Sequence, residues 1–417
     1  MSGISTLRTD FEALMEIGRL PEGGWSRPAF GEEDCRANEW FARRAREAGL
    51  SVRTDAIGNV IARLEGRPGI PAIAMGSHLD TVLSGGAFDG AIGVLVGLDV
   101  ARNLRRAEKD WQVPIEVIAF RDEEGHYGAF NGSRAMMGEL PAEEIGRRRS
   151  VEGTMLANAL RDAGLDPETV PEARRDPSEF AAFLELHIEQ GRVLEKAGID
   201  LGIVTSIAGQ ERMAIRFTGA PDHAGTTPME LRRDAFAAAA RFADRFRDLV
   251  IIGGEGVTRG TIGIVQATPN QGNVIPGEVR LGLEMRDISA DRLKRLGEAV
   301  TALANETATA MQVEASVRAV YRSEPIAMSE PVRTVLGHAA QALGMSAMDL
   351  PSGANHDAGI MAAHVPTGML FVPSRDGRSH CPEEHTEWPQ IEAAARLMER
   401  AVRDLARRII EGGDIGS

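Results

Sequence analysis

Cysteine is scarce in this chain of 417 residues, with Cys35 and Cys381 as its 2 thiols. Two cysteines cannot build a disulfide framework or a cysteine-based zinc site. Aromatic residues make up 5% of the chain, so a core has to be assembled mainly from Ala, Val, Leu, Ile and Met. Positive charge is outnumbered: 47 Lys and Arg stand against 61 Asp and Glu, a formal net charge of -14. Phosphate neutralisation needs a basic face, so this balance argues against a general nucleic-acid or anionic-membrane binder. No stretch reaches the roughly 18–20 apolar residues that a membrane span requires. The opening Met1–Ser5 lacks the basic and then apolar regions of a secretory signal. These absences predict a soluble, cytoplasmic protein.

What is present points to an α/β architecture. The length favours two domains. Apolar positions recur at helical spacing over 5–20 and 32–49, with Gly49 at a helix stop. Residues 59–64, 71–77 and 115–121 read as strands, and 91–106 as an Ala/Val/Leu helix after a glycine-rich loop. Strands alternating with helices predict a mixed-sheet domain with helices on both faces, and such sheets place ligands beyond their strand C-termini. The middle of the chain reads β-α-β-β-α-β: strand 213–218, helix 231–249, strands 260–267 and 279–287, helix 290–311, strand 313–320. That is the ferredoxin-like order. It predicts a domain of residues 211–327 inserted into a discontinuous domain of 1–210 and 328–417, which ends in a helix over 390–410.

The polar residues that end those strands can carry chemistry. In His78-Leu79-Asp80 the imidazole can bind a metal while the carboxylate fixes its tautomer. The loop Gly85–Gly90 presents Asp89 just before a helix, where a plain N-cap is the simpler reading. Glu123 and Glu124 are adjacent at a strand end, an arrangement that repels unless a cation intervenes or one is protonated. One can bind metal while its neighbour serves as a general base. His187 lies in the otherwise apolar Leu184–Gly191 segment, and His385 in Ser379–Thr386. As a set, His78, Asp89, Glu124, His187 and His385 would hold two divalent cations with Asp89 bridging. Zinc suits these donors, and manganese, cobalt or nickel would also fit.

These segments resemble the M20 metallopeptidase-type amidohydrolases, and within them the hydantoinase/carbamoylase branch. The resemblance runs through GSHLDTV (76–82), GGAFDGAIGVL (85–95), RDEEG (121–125), GSRAMMG (132–138) and ELHIEQG (185–191). It continues through DHAGTTPM (222–229), NVIP (273–276), MRD (285–287), SGANHDA (352–358) and SHCPEEHT (379–386). It implies one cation on His78, Asp89 and His187, and another on Asp89, Glu124 and His385. Asp80 would orient His78, and Glu123 would be the base that activates water and then protonates the leaving amine. His223 would stabilise the oxyanion from a lid, in its own subunit or across a homodimer formed by the inserted domain. Asn273 and Arg286 would grip a substrate carboxylate, with Gln190 lining the amide or ureido end.

The chain departs from the branch pattern at three places. His126-Tyr127 replaces an Arg-Phe pair after EEG, Asn355 replaces a glycine, and Arg375 and Arg378 precede the last histidine. Asn355 and Arg378 would give a more polar pocket. The resemblance thus implies hydrolysis of an N-carbamoyl-L-amino acid or similar ureido carboxylate to amino acid, carbon dioxide and ammonia. Allantoate, an N-acyl amino acid or a peptide is the alternative substrate. A metal-free binding scaffold is disfavoured because every donor type and Glu123 are present.

Overall fold

A computed structural model describes residues 3–108 and 110–413. They form two compact units, one running to Thr205 and resuming at Ala327, the other Ser206–Ile326. The strands, in chain order, are β1 (Ser51–Thr54), β2 (Val60–Leu64), β3 (Ala72–His78), β4 (Ile115–Phe120), β5 (Phe180–Ile188) and β6 (Leu201–Ile207). They continue with β7 (Gly209–Thr218), β8 (Arg259–Thr268), β9 (Glu278–Asp287), β10 (Glu314–Ser323), β11 (Ile326–Ala327), β12 (Ala347–Ser352) and β13 (Thr367–Val372).

The first unit is built on a mixed sheet of order β1-β2-β4-β3-β5-β13-β6-β11, with β12 paired to β6. Its centre is parallel: β4, β3, β5 and β13 run the same way, while β2 and β6 join antiparallel. Every residue of β3 and β4 is buried, as strands covered on both faces require. Ile73, Met75, Val117, Leu184 and Leu370 of the sheet share one core with Val94 and Leu98 of helix Ala91–Ala107 and Leu397 of helix Trp388–Ile410. Burying each such side chain contributes roughly 1.5–3 kcal/mol.

One sequence expectation shifts here. The first helix ends at Leu14 instead of running to 20, because Gly18 adopts φ 73 and Arg19 bridges Trp25. Residues 131–173 form short helices over their own small core, including Leu140, Leu156, Leu160 and Val170.

The second unit follows the order β7, helix Ala235–Gly253, β8, β9, helix Ala290–Ala310, β10. Its antiparallel sheet runs β10-β7-β9-β8. Alternate residues of β9, from Val279 to Met285, pack with Phe217, Phe242, Leu296 and Val300. The first of its helices starts at Ala235, four residues beyond the 231 expected, because the Asp234 carboxylate accepts from the Phe236 and Ala237 N–H groups. That is an N-cap. The unit boundaries fall at Thr205/Ser206 and Ile326/Ala327, a few residues from the 210/211 and 327/328 read from the sequence.

Candidate active site

Four parallel strands of the first unit deliver the site from their C-terminal ends. β3 ends on His78, β4 leads into Asp122–Glu124, β5 carries His187, and β13 leads into the loop holding His380. Asp89 reaches the same place from the N-terminal side of helix Ala91–Ala107. His187 Nε2 lies 2.9 Å from Asp89 Oδ1, and His78 Nε2 lies 3.4 Å from the same oxygen and 3.6 Å from Glu123 Oε2. On the other face of Asp89, His380 Nε2 is 3.2 Å from Oδ2 and 3.4 Å from Glu124 Oε2.

The sequence places His385 in this cluster, whereas the structure brings His380 to Asp89 and Glu124. His385 lies 3.5 Å from Glu387 and packs edge-on against Phe88. Composition does not separate two histidines on one irregular loop. Backbone geometry does: His380 has φ 57, and the reversal there aims its ring at Asp89. The signal available in the sequence was Glu384, four residues later, whose carboxylate returns to the His380 N–H.

Asp80 acts differently from the expectation too. Its backbone carbonyl, 3.0 Å from His78 Nδ1, is the imidazole's partner, and its carboxylate stands 3.7 Å away. That carboxylate instead accepts from the N–H groups of Glu123 at 3.4 Å and Glu124 at 3.2 Å. It therefore shapes the turn that carries both glutamates.

The donor set fits divalent cations by its own chemistry. His78 Nδ1 faces the Asp80 carbonyl, and His187 Nδ1 faces the Ile188 carbonyl at 2.9 Å. A carbonyl accepts only, so each Nδ1 carries a proton and Nε2 is the ring atom that each histidine turns toward Asp89. A lone pair against a carboxylate oxygen is repulsive unless a cation sits between them or the ring is protonated. His78 Nε2 is buried and has no hydrogen-bond partner. Around it the carboxyl groups of Asp80, Asp89, Glu123, Glu185 and Asp357 are all buried, a crowding that a cation among them would relieve.

The titration directions express the same crowding. Burial, with Asp89 next, pushes the Glu124 carboxyl up to about 7. Burial, reinforced by Glu124, Asp357 and Asp89 and opposed by His78, pushes Glu123 well above the carboxylate range. For Asp89 burial acts upward, but His187, His380 and His78 outweigh it and hold the group well below its ordinary value. Its hydrogen bond to Asp89 leads in raising His380 to about 9.

Behind these groups, Glu185 accepts from the Ser77 hydroxyl at 2.7 Å and the Ala358 N–H at 2.7 Å. His356, which the sequence reading did not single out, stacks edge-on against His187 with ring centres 4.4 Å apart. Burial, with His187 next, keeps its imidazole well below the usual range, hence neutral.

Gln190 donates to Asp89 Oδ2 at 2.8 Å. Asn355 is half-buried next to His356, and Arg378 is exposed, 3.4 Å from Glu383. His223, Asn273 and Arg286 belong to the second unit. There His223 bridges Val274, and the Ala224 N–H donates to the Asn273 carbonyl at 3.0 Å. The Gly225 N–H donates to His223 Nδ1 at 3.0 Å, which leaves the neutral ring's Nε2–H as a donor. Arg286 donates to Glu284 at 2.6 Å.

Gly90 is demanded by this packing. It has φ 63, and a Cβ there would lie 2.4 Å from His78 Nε2. Gly90→Ala is expected to lose about 1–2 kcal/mol from the left-handed backbone alone. It should also displace His78, cutting activity by about tenfold or more, since a small misplacement near reacting groups is costly. Denaturant midpoints and kcat/KM check both effects; an unchanged kcat/KM would show that the His78 ring tolerates the methyl.

A carboxylate-and-imidazole cluster at the ends of parallel strands, with Glu123 beside it, defines a hydrolase site of the metal-dependent kind. Residues 74–404 match the model of peptidase family M20/M25/M40. The chain is 41% identical over 397 residues to an N-carbamoyl-L-amino acid amidohydrolase of Geobacillus stearothermophilus, covering 94% of this chain and 96% of that one. It is 35% identical over 404 residues to an allantoate amidohydrolase of Bacillus subtilis, covering 95% and 97%. A hydantoinase/carbamoylase family amidase from Burkholderia ambifaria superposes with TM-score 0.89 at 32% identity over 97% of each chain. The chain belongs to peptidase family M20/M25/M40, among its hydantoinase/carbamoylase amidases. It is an amidohydrolase, acting on C–N bonds of linear amides. No helix among the described residues is long and apolar enough to cross a membrane.

Proposed function

We propose that this enzyme hydrolyses an N-carbamoyl-L-amino acid or a similar ureido carboxylate. The C–N bond to the amino acid breaks, and the carbamate released decomposes to carbon dioxide and ammonia. The observation that carries the catalytic part is the convergence of His78 Nε2 and His187 Nε2 on one oxygen of Asp89, with His380 and Glu124 at the other. The substrate class rests on similarity to carbamoylases, and likeness to allantoate amidohydrolases supports allantoate as the second reading.

His78, Asp89 and His187 would hold one divalent cation, and Asp89, Glu124 and His380 a second, with zinc the best match to these donors. Bound there, such cations supply Lewis acidity to the scissile carbonyl and to the attacking water. Glu123 takes the proton of that water and passes it to the leaving nitrogen. Gln190, anchored on Asp89, lines the ureido end, and Asn355 and Arg378 make the pocket more polar. In the second unit, His223 offers an Nε2–H to developing negative charge, while Asn273 and Arg286 recognise the substrate carboxylate. A second copy of the chain is the partner we assign to that unit. Its support is the edge strand β8, where Ile264 and Val265 are exposed.

The test is ammonia and amine release from N-carbamoyl-, N-formyl- and N-acetyl-amino acids, allantoate and dipeptides, with metal-loaded and chelated enzyme. We expect metal-dependent release from N-carbamoyl-L-amino acids, with more than about tenfold preference over N-acetyl compounds. Release confined to acyl compounds or dipeptides would overturn the substrate assignment. Full activity after chelation would overturn the metal centre.

A further inference from the structure

Glu384 has no part in the chemistry above, yet it is buried at 4% exposure and its oxygens bond the two loops that present Asp89 and His380. Oε1 accepts from the backbone N–H of Phe88 at 2.8 Å and of Asp89 at 3.0 Å. Oε2 accepts from the His380 N–H at 3.3 Å and lies 2.9 Å from the Ser379 hydroxyl. One carboxylate thus joins chain segments 296 residues apart. Room for it is made on the Asp89 loop, where a Cβ on Gly86 would fall 2.0 Å from Glu384 Oε1.

The arrangement needs a carboxylate. Both oxygens accept, and N–H groups approach from both sides. A glutamine would present an NH2 to one of those sides, donor against donor. His380 also sits at φ 57, a left-handed backbone that a non-glycine residue adopts when the surroundings hold it. The return of Glu384 to the His380 N–H supplies that hold.

We propose that Glu384 is a positioning residue that sets the spacing of Asp89 and His380, and through it the affinity of the Asp89–Glu124–His380 cation site. This rests on the metal-centre reading above. Second-layer partners of ligands act in this way, fixing orientation without touching substrate.

The experiment compares full-length wild type with Glu384→Gln and Glu384→Ala by two readouts. The first is amide hydrogen exchange of the metal-free protein, which owes nothing to bound metal. In Glu384→Gln, exchange across 86–90 and 379–384 should accelerate by about tenfold or more while β3 stays protected, as local opening predicts. The second is titration with cobalt(II) alone, followed by its absorption spectrum, where the weaker site should lose about 10–100-fold in affinity. At saturating metal kcat should fall with KM nearly constant. Unchanged exchange and cobalt affinity in Glu384→Gln would overturn the proposal, and so would acceleration spread evenly over the whole chain. If wild type takes up no cobalt, the metal centre falls and the exchange result alone decides the clamp. If Glu384→Ala does not fold, Glu384→Gln carries the test.

Discussion

Glu123→Gln is expected to lower kcat by about two to four orders of magnitude, the usual contribution of a positioned general acid–base group, while leaving metal content and KM close to wild type. The amide is nearly isosteric with the carboxylate, so the packing of this buried side chain survives the change. What disappears is a group able to take a proton from water and give it to nitrogen. Glu123 and Glu124 are neighbours, but their surroundings assign them different work. Glu124 Oε2 lies 3.4 Å from His380 Nε2 and faces the donors around Asp89. Glu123 Oε2 has as its nearest cationic or imidazole neighbour the unpartnered His78 Nε2 at 3.6 Å. Stopped assays at saturating substrate, with metal analysis of the same preparation, separate the roles. A kcat within about tenfold of wild type would remove Glu123 from proton transfer. Loss of metal in parallel with activity would make it a ligand.

Much of the site could be read from sequence because of how this sheet is made. Central parallel strands are buried on both faces, so β3 and β4 appear as continuous apolar runs, and the polar residues that end them stand out. His78, Glu123 and Glu124 stand out on that contrast, Asp89 and His187 through the ordered motifs around them, and the structure brings the five side chains together. The second unit was legible for a related reason, since its two helices of 19 and 21 residues are long enough to show their period. Short elements hid from the same analysis. Helices Asn131–Met137 and Leu156–Asp162 have 7 residues each, too few turns for periodicity to separate from chance. The roles of Asp80 and His380 depended on neither composition nor period. One turned on a backbone carbonyl replacing a carboxylate at the His78 ring, the other on a single left-handed residue in a loop. Both are set by tertiary context.

That loop yields the second large prediction, a contrast between two histidines five positions apart in sequence. His380→Ala removes the imidazole from Asp89 Oδ2 and Glu124 Oε2, and the cluster loses an imidazole nitrogen that a cation would share with the carboxylates. We expect one fewer cation retained per chain after dialysis. kcat/KM should fall by about a thousandfold, equivalent to about 4 kcal/mol of transition-state stabilisation, in the range a Lewis acid supplies. His385→Ala takes away an edge-on contact with Phe88 and a 3.5 Å approach to Glu387, both outside the cluster. Its metal content should stay at the wild-type value and its kcat/KM within about threefold, because surface-side substitutions usually shift stability by only about 0.5 kcal/mol. Atomic emission on dialysed protein and initial rates on the same samples give the answer. If His385→Ala loses the cation and His380→Ala keeps it, the loop adopts a different reversal in solution, and the clamp by Glu384 falls with it. If both variants keep full metal and activity, the second cation site is not built from this loop. Loss confined to His380→Ala would instead make the left-handed turn at residue 380 the feature that converts an ordinary acidic loop into the last wall of the active site.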